Sequence, residues 1–435
     1  MKLATGILLG GFSTVAWATE PAVETDVHGD LKTFYVATFP YDNSLYQDVG
    51  VLPADPTSQA TLDGRLKLSL KTDSIRFLLH HAVTTQTASI GQQTGQTGLG
   101  VQAPQLLDLG WTGFEESESE EAMTLQGRTD RLNVSGDVGS LTWTVGRQPI
   151  TLGHGLGFTP MDLVNPFFPT TVDQEYKPGV DAVTADVFFG TSTKMSLITA
   201  YTDEQLIADT EDWNVNGMAY ALYAQHTFGR HDLGILLGEV RGDEVVGLTL
   251  ATYAGPVGIH SDLTYTLPAD AETEDPFFRG VVGALWSATD KIIVTSEFYH
   301  QTVGVTDSKD YLTQLSEERY QRGELWLVGT TYGSASVSYQ VTPLVQGTAS
   351  FIGNLLDSSA LFAPGVNVSI SDEVQLVMGG FMGLGERPDE LSLTDLIDPG
   401  TGFPLQGEAL NSALGVNSEF GFYPSSAHLG LKAYF

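Results

Sequence analysis

The chain has 435 residues, no cysteine, 48 glycines and only 17% charged residues, and its 53 acidic against 20 basic side chains leave a net charge of −33. Missing thiols exclude thiolate metal centres, iron–sulfur clusters and covalently attached haem, and so acidic a surface argues against nucleic acid as a partner. No apolar run beyond the first residues could form a membrane-spanning helix, whereas low charge with much Gly, Thr, Val and Leu suits strands with one face in hydrocarbon.

Met1-Lys2 is a short basic start, Leu3 to Val15 is apolar and small, and Ala16-Trp17-Ala18 has the A-x-A form of a cleavage site. This predicts a signal peptide over 1–18 and a mature domain over 19–435. A first strand is expected at 26–39, followed by a long connection at 40–60. Then comes the clearest hairpin. Leu62, Gly64, Leu66, Leu68 and Leu70 alternate with Asp63, Arg65, Lys67, Ser69 and Lys71. A turn at Thr72-Asp73 leads to Ile75, Phe77, Leu79, His81 and Val83, which alternate with Arg76 and its followers. Period two with one apolar face marks a strand between two solvents.

A second long connection, 86–122, carries Glu115, Glu116, Glu118, Glu120 and Glu121. These are weak candidates for a divalent cation. They lack the spaced Asp/Asn/Gly pattern of a calcium loop, and a solvated, self-repelling loop explains them better. Strands at 123–135 and 140–150 follow. They extend a set of cations comprising Lys32, Arg65, Lys67, Lys71, Arg76, Arg128, Arg131 and Arg147. On an inner wall these would attract an anion or orient a hydroxylated solute. Equally, they could pair with Asp63, Asp130 and Asp137 and brace the wall. Arg128 and Arg147 break strict alternation, which places each near a strand end or bulge.

The third long connection, 151–178, holds Phe158, Met161, Leu163, Val164, Phe167 and Phe168. An external loop should not expose so many apolar side chains, so it is expected to fold into the lumen. There Asp162, Asp173, Glu175 and Lys177 would face Arg131 and Arg147. The expected lining and constriction is Arg65, Lys67, Arg76, Arg131, Arg147, Asp162, Asp173 and Glu175.

Further strands are expected at 179–189, 193–203, 215–228, 232–241, 244–254, 257–267, 277–288, 291–301, 323–332, 335–343, 360–370, 373–383 and 425–435. The total is eighteen, with sixteen as the lower bound. Long connections recur on alternate links, including 302–322 and 384–424, with short turns between them, one at Gly333-Ser334. Residues 344–359 read as a loop with a short helix near Asn354. Such segregation matches a transmembrane antiparallel up-and-down β-barrel. No 40–50-residue repeat suggests a propeller. Tyr35, Phe39, Trp143, Tyr201, Phe298 and Phe435 suit aromatic girdles.

The final strand puts Ala427, Leu429, Leu431, Ala433 and Phe435 on one face and Ser426, His428, Gly430, Lys432 and Tyr434 on the other. A strand closing on an aromatic residue resembles the C-terminal signal of bacterial outer-membrane barrels, read through Phe435 by the assembly machinery. Asp130-Arg131-Leu132, Gly146-Arg147-Gln148-Pro149-Ile150, Gly153, Gly155, Pro160-Met161-Asp162, Asn165-Pro166 and Pro178-Gly179 resemble outer-membrane porins of the alginate-export and related porin-like groups. That resemblance implies passive movement of solute or polymer and carries no catalytic residue.

The expected protein is thus a channel for small polar or anionic solutes in a Gram-negative outer membrane, in contact with lipid and lipopolysaccharide and compatible with a homo-oligomer. The alternative is a conduit or sheath for a polysaccharide-export or electron-transfer assembly. No cofactor is expected. With no G-x-S-x-G or H-E-x-x-H motif, His80, His81, His154, His300 and His428 suggest no enzyme.

Overall fold

The computed structural model describes residues 23–48, 52–89, 105–117, 121–165, 173, 175–202, 217–272, 274–390, 393–397, 405 and 414–435. The expected signal peptide, Phe167, Phe168, Glu118 and Glu120 lie outside the described residues. Among the described residues, nineteen strands run in chain order. They are β1 (Glu24–Phe39), β2 (Thr57–Lys71), β3 (Ile75–Ser89), β4 (Trp111–Ser117), β5 (Glu121–Val138), β6 (Leu141–Gln148), β7 (Val180–Phe189), β8 (Thr193–Tyr201), β9 (Met218–Phe228) and β10 (His231–Val240). They continue as β11 (Asp243–Ala254), β12 (Val257–Leu267), β13 (Phe277–Thr289), β14 (Ile292–Gln301), β15 (Thr331–Thr342), β16 (Val345–Asn354), β17 (Ser359–Ser369), β18 (Val374–Leu384) and β19 (Ser425–Tyr434).

Every strand except β4 joins one closed antiparallel ring of eighteen, completed by pairing of β19 with β1. Closure leaves no sheet edge to satisfy in hydrocarbon. The exception, β4, lies along the upper half of β5, beyond the stretch that pairs with β6. Long connections and short turns segregate to opposite rims as expected. The two-residue link 241–242 and the link 355–358 are the short members of the long set.

Eighteen was reached through two compensating differences. Residues 323–330 are no strand, and their apolar residues are buried instead, Leu325 and Val328 with the loop residues Tyr311 and Tyr320 and Leu327 against the inner wall. Gly333-Ser334 is no turn, because β15 runs straight through it with Gly333 paired to both Phe298 and Gly353. The expected loop 344–359 contains β16, whose outward row Val345, Gly347, Ala349, Phe351 and Gly353 is too diluted by small residues to look like a strand in sequence.

Leu31, Tyr35, Phe39, Leu62, Leu66, Phe298 and Phe435 all face outward and are exposed, whereas Tyr201, at the end of β8, is buried. The apolar cores lie inside the ring. One joins Ile150, Met161, Leu163 and Val164 to the inner faces of β7 to β11. Another joins Phe158 to Val281, Tyr299, Leu327, Tyr332, Leu361 and Phe420. Both need the connection between β6 and β7.

Candidate functional site

The described parts of the 149–179 connection are fastened inside the ring to opposite walls. Its first half is held through its backbone. Asp262 on β12 accepts hydrogen bonds from the amides of His154 (2.6 Å) and Gly155 (2.7 Å). Glu297 on β14 accepts from Leu156 (2.7 Å), Gly157 (2.7 Å) and Phe158 (3.0 Å), and contacts His260 Nε2 at 2.7 Å. Five consecutive amides aimed at two carboxylates require the backbone to approach the wall closely. Gly153 has φ +88°, and a Cβ there would lie 2.4 Å from Asp262 Oδ2. A Cβ on Gly155 would lie 2.0 Å from the Phe158 carbonyl oxygen. The glycines of this run are therefore a steric requirement. Phe158 then stacks on Tyr299 with ring centroids 4.9 Å apart.

The base of the loop is tied by Lys177. Its Nζ donates to both Asp162 oxygens at 2.7 Å, to the Ile150 carbonyl at 2.6 Å and to Thr151 Oγ1 at 3.1 Å. Burial pushes the Asp162 carboxyl up and the Lys177 ammonium down, and their mutual contact opposes both shifts.

The last part of the loop is held by side chains on the opposite wall. Asp173 accepts from Lys32 Nζ at 2.8 Å and from Lys432 Nζ at 2.9 Å. Glu175 accepts from the same two ammonium groups at 3.0 Å each and from the Tyr434 hydroxyl. Burial works to raise both carboxyls, but Lys32 and Lys432 outweigh it and hold both below the usual carboxylate range. Tyr176 lies between two guanidinium groups, with Arg65 3.8 Å and Arg131 4.6 Å from its ring centroid, an arrangement favoured by the ring quadrupole. Its hydroxyl bonds to His80 Nδ1.

The expected lining residues divide accordingly. Arg65 pairs with Asp130 at 2.9 Å, Lys67 with Asp30 at 2.6 Å, and Arg128 with Asp130 at 3.3 Å. Arg131 donates to the carbonyls of Asp130 and Lys177. Arg76 is exposed near the short turn between β2 and β3. The expected facing of Asp162, Asp173 and Glu175 toward Arg131 and Arg147 is replaced by Lys177, Lys32 and Lys432.

Arg147 belongs elsewhere. Its register partners are Leu132 and Asp181, while the lumen-facing Asn133 and Ala182 occupy the alternate row. It makes a bidentate pair with Asp181 at 2.9 Å and donates to Gln105, Leu107 and Thr129, so it anchors segment 105–109 on the outer side of the wall. Arg128 owes its broken alternation to a bulge in β5, where Asp130 is skipped between the partners of His80 and His81. Glu115 and Glu116 lie on β4 and Glu121 begins β5. Among the described residues, no three His, Asp or Glu side chains converge to hold a metal ion.

Sequence reading missed Asp262, Glu297, Tyr176 and the role of Lys432. The wall carboxylates were legible only as isolated acids in otherwise apolar strands. Lys432 was placed on the inner row but had no visible partner.

A second feature lies beside this loop. A cavity of about 560 Å³ is open along the inner faces of β15 to β19 toward the short-turn rim. Gln340, Gln346, Asn367 and Gln375 line it, with Lys432, His428 and Phe381 at its margin.

No protein-family model matches the sequence, and a search of curated proteins finds no relative. Solved structures do match. OccAB3 of Acinetobacter baumannii aligns with a TM-score of 0.54 at 9% identity, covering 95% of this chain and 99% of that one. A BenF-like porin from Pseudomonas fluorescens Pf-5 gives 0.55 at 10% identity, covering 95% and 98%. OpdK of Pseudomonas aeruginosa, solved with vanillate, gives 0.51 at 10% identity over the same shares. The chain has an outer-membrane porin fold. At these identities the likeness is one of fold.

Proposed function

We propose that the protein is an outer-membrane channel for passive diffusion of small polar or anionic solutes, with its long-connection rim at the cell exterior. The observation that carries this reading is the seating of the described parts of the 149–179 connection inside the ring, residues 150–164 on one wall and 173 and 175–177 on the opposite one. The likeness to solved porins supports it through the fold. The residues resembling alginate-export-type proteins cluster at the base of this loop, so on this reading their motif describes how a loop is hung inside a barrel. No catalytic role is assigned.

Single-channel current in a planar bilayer tests the proposal. Steady open steps are expected, with a reversal potential under a salt gradient that reports charge selectivity. Replacing Arg65, Lys67 and Arg131 together with Gln is expected to move that potential toward cations. No shift would leave these cations with a bracing role only.

One observation favours a second reading. Phe158, Trp326 and Phe420, from three different loops, meet in one apolar cluster within the ring. A folded, heat-modifiable barrel that never conducts would favour a conduit opened by a partner assembly.

A further inference from the structure

We infer that the cavity along β15 to β18 is a binding site for an uncharged, polyhydroxylated solute of the saccharide class. The inference rests on the channel reading in one respect only, since it names what the lumen would hold.

Three observations carry it. First, the site has a row of amides set by register. Gln340 pairs with Gln346, and Gln346 pairs with Asn367, so three carboxamides stand side by side on adjacent strands. Strand spacing puts them about 4.8 Å apart. Gln375 follows on β18, opposite Ser369. A carboxamide has two donors and an acceptor, which suits hydroxyl groups that both give and accept hydrogen bonds. Gln340 commits its amide nitrogen to the Thr342 and Val345 carbonyls and Gln346 commits one donor to Ser338 Oγ, which leaves their oxygens to the cavity. Among the described residues, Asn367 and Gln375 spend none of this capacity on a side-chain hydrogen bond within the protein.

Second, the site carries little net charge. Lys432 reaches its edge, but Lys432 and Lys32 are matched by Asp173 and Glu175 in a closed two-plus-two group. An anion entering the cavity would give up hydration without gaining a free counter-charge, a cost that an uncharged solute avoids.

Third, the margin combines an apolar plate with an unspent polar atom. Phe381 packs at a tilt on His428, ring centroids 5.9 Å apart, and offers its face to the C–H side of a sugar ring. The buried His428 Nδ1 has no hydrogen-bond partner among the described residues. The volume falls within the range of small-molecule sites, about 300–1,000 Å³.

The test is calorimetric titration of the full-length protein in detergent with maltose, sucrose and glucose, and with gluconate as the charged comparator, alongside bilayer conductance. At least one sugar is expected to bind at least tenfold more tightly than gluconate. Gln346→Leu combined with Gln375→Leu, in a barrel that keeps its heat-modifiable mobility, is expected to weaken that sugar at least tenfold. Phe381→Ala provides an independent variant with the same expected direction. Absence of binding by all three sugars, tighter binding of gluconate, or an affinity unchanged in both variants would overturn the assignment. Sugar binding without conductance would overturn the channel reading and leave the site standing. Conductance without sugar binding would do the reverse.

Discussion

The two ends of the 149–179 connection are fastened by opposite means. Residues 154–164 are held by main-chain amides on wall carboxylates and by apolar packing, whereas residues 173–177 are held by charged and aromatic side chains. Over residues 154–157 the wall supplies the chemistry and the loop supplies backbone amides, whereas Phe158, Met161, Leu163 and Val164 add buried side chains. At the second the loop supplies the charges. The first end should therefore tolerate substitution at the exposed Leu156, and should depend strongly on Asp262, Glu297 and the buried Phe158 and Met161. The second should depend on both partners and on ionic strength.

Removing Leu156 to Val172 abolishes the bridge between the two ends, and a conductance increase of several-fold is expected from a barrel that still folds. Unchanged conductance in a folded deletion variant would mean that the loop does not define the constriction.

Glu297→Gln attacks only the backbone-held end. Its side chain is nearly isosteric but loses the charge that serves three amides and His260. Hydrogen bonds to charged groups contribute about 1.5–3 kcal/mol, so a loss of that order is expected. Amide exchange at Leu156, Gly157 and Phe158 should accelerate while Tyr176 stays docked. Acceleration throughout 173–177 as well would show that the two ends are a single cooperative unit.

Glu419 sharpens the same end, because Phe420 beside it belongs to the Phe158 cluster. Burial raises the Glu419 carboxyl to about 7, against hydrogen bonds from Tyr332, Val328 and Asn354 that favour its charged form. With an unperturbed value of 4.5, the docked arrangement takes up a proton as it forms between those pH values. Docking is strongest below about pH 4.5 and weakens as pH rises through about 7. Limited proteolysis across this window should show increasing cleavage near 326–330, and Glu419→Gln should remove the dependence. A flat wild-type profile would contradict the assignment.

Lys32→Gln with Lys432→Gln attacks only the charge-held end and has the smallest expected effect. Exposed parts of such pairs are screened as the Debye length falls from about 10 Å at 0.1 M salt to about 3 Å at 1 M. Bilayer current through the wild-type protein should become noisier as salt rises, and the double variant should be equally noisy at all concentrations. Identical salt responses would show that these contacts do not restrain the loop.

The barrel was readable because lipid enforces period two on one face of every spanning strand, as Leu62 to Leu70 show. The pattern failed at β16, where small residues fill the outward row, and at Leu325 to Val328, where apolar residues served packing inside the ring and among loops. Infolding of the third connection was legible from Phe158, Met161, Leu163 and Val164, which had no other means of leaving water. Their anchors were not. Asp262 and Glu297 are more than a hundred residues from the amides they hold, and no local spacing records such a pairing. For Arg147, the side of the wall depended on Gly146 and on segment 105–109, neither of which announces itself in the sequence.

Asp173 and Glu175 have a consequence for how the ring is made. Lys32 and Lys432 are direct register partners across the ladder that joins the first and last strands. Like charges directly opposite one another destabilise a pair of strands, so this closing seam carries a built-in repulsion. The carboxylates that cancel it arrive from a mid-chain loop, about 140 residues from one partner and 260 from the other. The stability of this seam thus depends on Asp173 and Glu175 being seated. Sealing the wall and seating the loop are thereby coupled through contacts of long sequence separation, of the kind that makes non-local folds slow to assemble.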